Sequence, residues 1–388
     1  MIMRTTFTAV ALAAAVASAA ETPLSQRLAD SAMSRQQGAL PNVRYETGVF
    51  QRALEMLYAK TGNATYRDYH LKQVDSMISA NGTITGHNFT LYSLDPIRTG
   101  EAILYAYEKT NQTKYKVALD TFRRQLDAQP RTPAGAFWHR STYPNQQWLD
   151  GVYMADNFYA AYNNKFAPNN NTAWDDILKQ FQLVEDNLIV AANSFPNNSA
   201  TGLLYHGYDA SLTAVWAQPP TGHCIEVWNR AIGWYAMALV DVLDYFPQKH
   251  AGYKKIRGFL ERLAPAIVNA ADPVTGNWWL VMGYPNRAGN YIESSGSAMF
   301  VYSLLRGVRK GYLPKKNYVK TATKAYEYLA KTFVVPETNG TLSWNGTVSV
   351  GSLGSNGTYE YYISVPLALN DLKGLAPFVL ASLEYEQL

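Results

Sequence analysis

The chain has 388 residues with 34 Lys and Arg against 30 Asp and Glu, a net charge of +4, and charged residues make up only 16% of it. So mild a balance without a basic run excludes nucleic acid as a partner class, and no apolar run is long enough to span a bilayer. The lone cysteine, Cys224, excludes an internal disulfide, so stability has to come from a core. A chain of this length buries roughly three quarters of its unfolded surface and needs no staple. Cys224 has no Cys-His-Asn signature around it and reads as a small buried hydrophobe.

Residues 1–19 read as a signal peptide: Arg4 gives the positive start, Phe7 to Val16 the apolar stretch, and Ala17-Ser18-Ala19 the small-residue cleavage site. The expectation is a secreted, extracellular protein whose remaining residues, 20–388, form one catalytic domain. The acceptor sequence Asn-x-Ser/Thr begins at Asn63, Asn81, Asn88, Asn111, Asn170, Asn197, Asn339, Asn345 and Asn356, which fits a glycoprotein.

The periodicity then predicts helices over 24–35, 46–60, 64–79, 96–109 and 114–126. The phrase Tyr-Ala-Lys-Thr-Gly-Asn closes the second, and Tyr-Glu-Lys-Thr-Asn-Gln closes the fourth, about fifty residues on. In both cases a tyrosine, Tyr66 or Tyr115, opens the next helix, so the unit is a repeated helix pair. Weaker copies join 151–162 to 172–191, 226–245 to 253–269 and 291–309 to 317–332. A last helix, 371–385, is left to pair with the first. The expected fold is all-α, an (α/α)6 barrel of six helical hairpins, with an open superhelix of pairs as the alternative. No strand pattern of comparable strength is present.

Turns within pairs are short, and connections between pairs are long: 81–95, 128–149, 192–225, 271–290 and 334–370. In a closed ring the long connections gather at one end and rim one cavity, where function concentrates. The first ends at Asp95-Pro96, with proline at the first helical position making Asp95 a candidate N-cap. The second carries Trp138 and His139 and ends at Trp148 and Asp150. Both carboxylates therefore sit at helix starts after long loops and would face one cavity. Burial beside Trp148 would raise the pKa of Asp150 and suit it to general acid work; the plainer reading makes it a helix cap. The third loop brings Tyr205-His206-Gly207-Tyr208-Asp209 and enters its helix through Trp228 and Arg230. Arg230 has a fork for a carboxylate ligand, or else pairs with an acid such as Asp95. His206 has no companion at metal spacing, so zinc is not expected. No cofactor and no protein partner is implied. Abundant aromatic residues and sparse charge suit a sugar-binding cleft, so the expected partner is an oligosaccharide.

Several blocks together resemble the unsaturated rhamnogalacturonyl hydrolases, glycoside hydrolase family 105, and more distantly the unsaturated glucuronyl hydrolases of family 88. They are Leu94-Asp95 with Thr99-Gly100, Trp148-Leu149-Asp150-Gly151 with Tyr153-Met154-Ala155, and Tyr205 to Asp209. Further blocks are Trp228-Asn229-Arg230-Ala231 with Gly233-Trp234, Glu293-Ser294-Ser295-Gly296 and Asp371-Leu372-Lys373-Gly374. The resemblance implies a metal-free (α/α)6 barrel with Asp150 as general acid/base and Asp95 as its supporting carboxylate. It implies substrate contacts from Tyr45, Trp148, His206, Trp228, Arg230 and Trp234. The implied reaction is hydration of the C4=C5 double bond of an unsaturated uronic acid at the non-reducing end of a lyase product. There Asp95 would hold the proton on Asp150 by repulsion, Arg230 or His206 would hold the uronate, and the tryptophans would stack on sugar faces. Asp156-Asn157 departs from the family pattern. Two other readings stay open: an inverting glycosidase acting on saturated chains through Asp95 and Asp150, and a sugar-binding protein without catalysis.

Overall fold

The computed structural model describes residues 22–388; the expected signal peptide lies outside them. Helices α1 (Leu24–Ser34), α2 (Tyr45–Thr61) and α3 (Ala64–Met77) come first. A 3-10 turn, Asp95–Thr99, runs into α4 (Gly100–Thr110), followed by α5 (Thr113–Ala128). A π turn, Val152–Asp156, runs into α6 (Asn157–Phe166), followed by α7 (Asn171–Leu188). Then come α8 (Asn229–Val242), α9 (Ala251–Asn269), α10 (Ser294–Arg309) and α11 (Lys315–Phe333). The short α12 (Tyr359–Ser364) precedes the last helix, α13 (Leu372–Tyr385).

Packing closes the ring. Starting from α2, the inner helices touch in the order α2, α4, α6, α8, α10, α13 and back to α2, the 3-10 and π turns making part of the contacts. Each inner helix pairs with an outer one, and the sixth pair is α13 with α1, the two ends of the described chain. The fold is an (α/α)6 barrel, as the repeat predicts. The inner position shows in the composition: every residue of α8 is buried. An outer helix such as α7 buries only one stripe, Trp174, Ile177, Phe181, Val184 and Leu188, the pattern of a helix with one face in solvent.

The repeated phrase has a conformational cause. Gly62 after α2 and Asn111 after α4 adopt left-handed backbone (φ +69° and +53°), and their N–H groups donate to the carbonyls of Tyr58 and Tyr107 at 2.8 and 2.7 Å. Glycine and asparagine are the residues that take this conformation at least cost.

The predicted starts of three inner helices are too early. Trp228 is held extended against the fourth loop, with Asn229 N–H on the Leu280 carbonyl (3.0 Å) and Met282 N–H on that of Val227 (2.9 Å). Tyr291 and Ile292 are likewise paired to Leu280 and Trp279, so α10 starts at Ser294. At 96–99 the chain forms a 3-10 turn rather than α-helix. Pairing at the loop end also makes short strands: β1 (Gln146–Trp148) with β2 (Gly207–Asp209), β3 (Val334–Pro336) with β4 (Leu342–Trp344), and β5 (Thr347–Val348) with β6 (Leu367–Ala368). None exceeds three residues, too few for alternation to be read from sequence.

Candidate active site

The N-terminal ends of the inner helices meet at the end of the barrel rimmed by the long connections. Tyr45 is the first residue of α2, Asp95 opens the turn before α4, and Asp150 stands just before the π turn and α6. A cavity of about 210 Å³ opens there, walled by Tyr45, Asp95, Arg140, Trp148, Asp150 and residues 350–352. It continues outward into a recess of about 340 Å³ that shares Tyr45, Asp95 and Arg140 and adds Arg44 and Asn88.

Asp150 owes its setting to strand register. In the β1–β2 pair Trp148 faces Gly207, and Leu149 N–H donates to the His206 carbonyl at 2.9 Å. This places the His206 ring next to Asp150, with Nε2 at 3.0 Å from the carboxylate. The carboxylate faces His206 instead of serving as a helix cap. Burial pushes the Asp150 carboxyl up, but the imidazoles of His206 and His139 more than offset this, and the group lies below its ordinary value. The expectation of a raised pKa beside Trp148 is therefore corrected for the unliganded protein.

Asp95 is not an N-cap either; the residue preceding its turn is Leu94, and no side chain caps it. Its carboxylate lies 3.4 Å from His139 Nε2 and 3.4 Å from Arg140 Nη2. Asp95 thus has an imidazole and a guanidinium beside it, and the neighbours that lower the Asp150 carboxyl are the imidazoles of His206 and His139. The two carboxylates do line one cavity.

The other expected contacts divide by depth. Tyr45 and Trp148 belong to the cavity wall. Trp148 is stacked on His139 (centroids 4.4 Å apart) and on Tyr143 (4.6 Å), and its Nε1–H donates to Gln146. Trp228 stacks on Tyr362 (5.7 Å), and Trp234 stacks on Tyr153 (5.2 Å) with its edge to Tyr45. His206, Trp228 and Trp234 are all buried. Trp228 and Trp234 are packed against protein partners away from the cavity lining, whereas Trp148 is part of it.

Arg230 is also a strut. It is buried, lies 4.6 Å from the Trp228 ring, and donates to the carbonyls of Val348 (2.5 Å) and Ser349 and to Ser295 Oγ (3.2 Å). Glu293 stands 3.9 Å away. With its fork spent on backbone carbonyls, Arg230 does not present a free cation to a uronate, and pairing with Asp95 is replaced by these contacts. The cation on the cavity wall is Arg140, about a third exposed. Sequence reasoning passed over it, although it directly follows Trp138-His139 in the second loop. It also passed over Tyr143 and Tyr362, two of many tyrosines, and the fifth-loop wall, which carries no motif.

Cys224 is buried, its Sγ sits 3.3 Å from the Glu226 carbonyl, and burial pushes its thiol up to about 11. Such a thiol is inert. Among the described residues, no three His, Cys, Asp or Glu side chains gather as metal ligands.

A sequence profile described as Glycosyl Hydrolase Family 88 matches residues 24–388. The chain is also similar to the solved structure of a family 105 glycoside hydrolase from C. acetobutylicum, at 37% identity and a TM-score of 0.89, over 95% of this chain and 100% of that one. The chain belongs to the family 88 and 105 glycoside hydrolases. Among curated proteins, this glycoside hydrolase is 36% identical to the 24.9 kDa protein in picA locus of Rhizobium radiobacter, over 219 residues, 54% of this chain and 89% of that one. The unsaturated glucuronyl hydrolase of Bacillus sp. GL1 has the same fold at 14% identity, with a TM-score of 0.67 over 94% of this chain and 95% of that one. As a glycoside hydrolase, the protein has an oligosaccharide substrate, and the cavity at the loop end is the site that suits one.

Proposed function

We infer that this protein is a secreted unsaturated uronyl hydrolase. It removes the C4=C5-unsaturated uronic acid from the non-reducing end of lyase-generated oligosaccharides, with the unsaturated rhamnogalacturonan disaccharide as substrate. The observation that carries the reading is the inequality of the two carboxylates. Asp95 is tied by His139 and Arg140, whereas Asp150 has the cavity on one side and a histidine on the other. Inverting hydrolysis of a saturated glycoside calls for two carboxyl groups in separate acid and base roles. Hydration of an enol ether needs one group that gives a proton and takes one back.

In that reaction Asp150 protonates C4, and positive charge spreads over C5 and the ring oxygen. Water adds to C5 and its proton returns to the Asp150 carboxylate. The hemiketal so formed opens to a ketone, and C1, now a hemiacetal carbon, releases the neighbouring sugar. The uronate carboxylate is expected near Arg140, whose planar fork suits it. Secretion and glycosylation belong to the same reading. The expected signal peptide supports the first, and all the acceptor asparagines from Asn63 to Asn356 stand exposed, which supports the second.

The test is the ultraviolet absorbance of the unsaturated disaccharide, followed with the wild type and with Asp150→Asn. Loss of the double-bond signal with the wild type alone is the expected result. Turnover of saturated oligosaccharides with none of the lyase product would replace this reading by the inverting one. Equal loss with both proteins would remove Asp150 from its role.

A further inference from the structure

His206 has two ring nitrogens and a polar partner for each. Nε2 lies 3.0 Å from the Asp150 carboxylate, and Nδ1 lies 2.6 Å from the Tyr362 hydroxyl. Tyr362 belongs to α12, in the fifth long connection, and meets His206 across 156 residues of sequence. The imidazole is fully buried, with Trp228 at 4.9 Å and the edge of Trp148 at 5.9 Å, so no solvent competes for either nitrogen. Tyr362 is buried too, its ring stacked on Trp228.

We propose that Tyr362 is a positioning residue for the reaction: its hydroxyl donates to Nδ1 of His206, fixes the imidazole as the Nε2–H tautomer and so keeps an N–H, rather than a lone pair, beside the Asp150 carboxylate. The inference rests on the uronide reading only for the substrate used in its kinetic arm. A phenol is a good donor, and the lone pair of a neutral imidazole is a good acceptor, so a short contact between them has a preferred direction. The hydrogen bond at one nitrogen of a histidine decides which nitrogen carries the proton. With the proton on Nε2, the ring stabilises the Asp150 carboxylate at the moment the proton has left for the sugar. The opposite tautomer would set a lone pair against that carboxylate and hold the next proton between the two residues.

The surroundings leave this chain undisturbed. On the Tyr362 side stand Cys224, Glu226 and Tyr361. Burial lifts the Cys224 thiol to about 11 and the Glu226 carboxyl to about 8, so both are uncharged in weak acid. On the Asp150 side the further titratable neighbour is His139.

The experiment uses Tyr362→Phe, which keeps the ring and removes the hydroxyl. The ring nitrogen resonances of His206 are read without substrate in histidine-labelled protein, assigned by their loss in His206→Gln. The wild type is expected to show Nε2 protonated and Nδ1 bare, and the Phe variant a mixed or inverted pattern. On the lyase product, kcat of the Phe variant is expected to fall about tenfold, the size of a one-unit change in a protonation equilibrium. KM should change little and the pH profile of kcat should shift. Tyr362→Gln, whose amide can donate in the same direction, should restore the ring pattern in part. A wild type protonated at Nδ1 would overturn the proposal. So would a Phe variant with lowered thermal stability but unchanged ring signals and pH profile, since that is the mark of packing alone. If the wild type does not turn over the lyase product, the uronide reading fails while the ring signals still decide the part played by Tyr362.

Discussion

At the scale of single residues, the free site holds Asp150 in the state opposite to the one that the proposed first proton transfer needs. Two imidazoles keep its carboxyl below the ordinary range, so in weak acid it is mostly ionised. In the proposed reaction a bound uronate adds a negative charge and sheds water from the cavity, and both changes favour the protonated form. The acid form is lost as pH rises through the pKa, so activity should decline on the alkaline side. That decline should come at lower pH in kcat/KM, which reports the free protein, than in kcat, which reports the complex. The two profiles measured over the same buffers check this; coincident alkaline limbs would mean that binding does not lift Asp150. Asp150 and Asp95 were legible in the sequence because each ends a long loop at a helix start. Their environments were not, because His139, Arg140 and His206 reach them from two different loops through contacts that no local pattern encodes.

At the scale of elements, the fifth connection, 334–370, shows why a loop without motifs can be decisive. It supplies the Val350–Ser352 wall and brings in α12 with Tyr362. Arg230 ties it to the barrel through two carbonyls and stands beside Ser295. Lysine has one point of charge and no fork, so it cannot serve all three positions together. Arg230→Lys is therefore expected to speed hydrogen exchange at 348–352 and to raise KM several-fold with a smaller effect on kcat. Unchanged exchange there would show that the loop is held by other contacts. The pairs α2–α3 and α4–α5 were readable because they repeat a turn with a left-handed residue, Gly62 and Asn111. The starts of α8 and α10 were misjudged because Trp228 and Tyr291 are apolar enough for helix yet are drawn into cross-loop pairing. The π turn after Asp150 ends on Asp156, whose carboxyl is pushed well up by burial and then by Asp176. That turn falls where the sequence departs from the family pattern.

At the scale of the whole molecule, the barrel has a working end and a closed end. Beyond Asp150, Tyr153 lies against Arg98 and Trp234, and Arg98 is paired with Glu101. Further down, at the C-terminal ends of α8, α10 and α13, Arg306 is held by Asp241 (3.0 Å), Asp244 and Glu384 (3.3 Å), with Tyr302 donating to Asp241 at 2.7 Å. Cations are favourable at helix C-termini, but removing one partner of a buried ionic group leaves the rest uncompensated. Arg306→Met should cost about 3–5 kcal/mol of stability, seen in urea unfolding, while kcat of the folded fraction stays the same. A matching fall in kcat would mean that the closed end communicates with the site.

The closed end also governs traffic. Beneath the cavity lie buried side chains, Tyr153, Arg98 and Trp234, and in the proposed reaction the sugar that enters is the unsaturated terminus of its chain. In the proposed reaction the freed uronic acid occupies the place that the next unsaturated terminus must fill. Added product should therefore inhibit competitively, with the apparent KM rising in proportion and kcat preserved. A noncompetitive pattern for both products in the same initial-rate series would mean that neither occupies the place of the substrate.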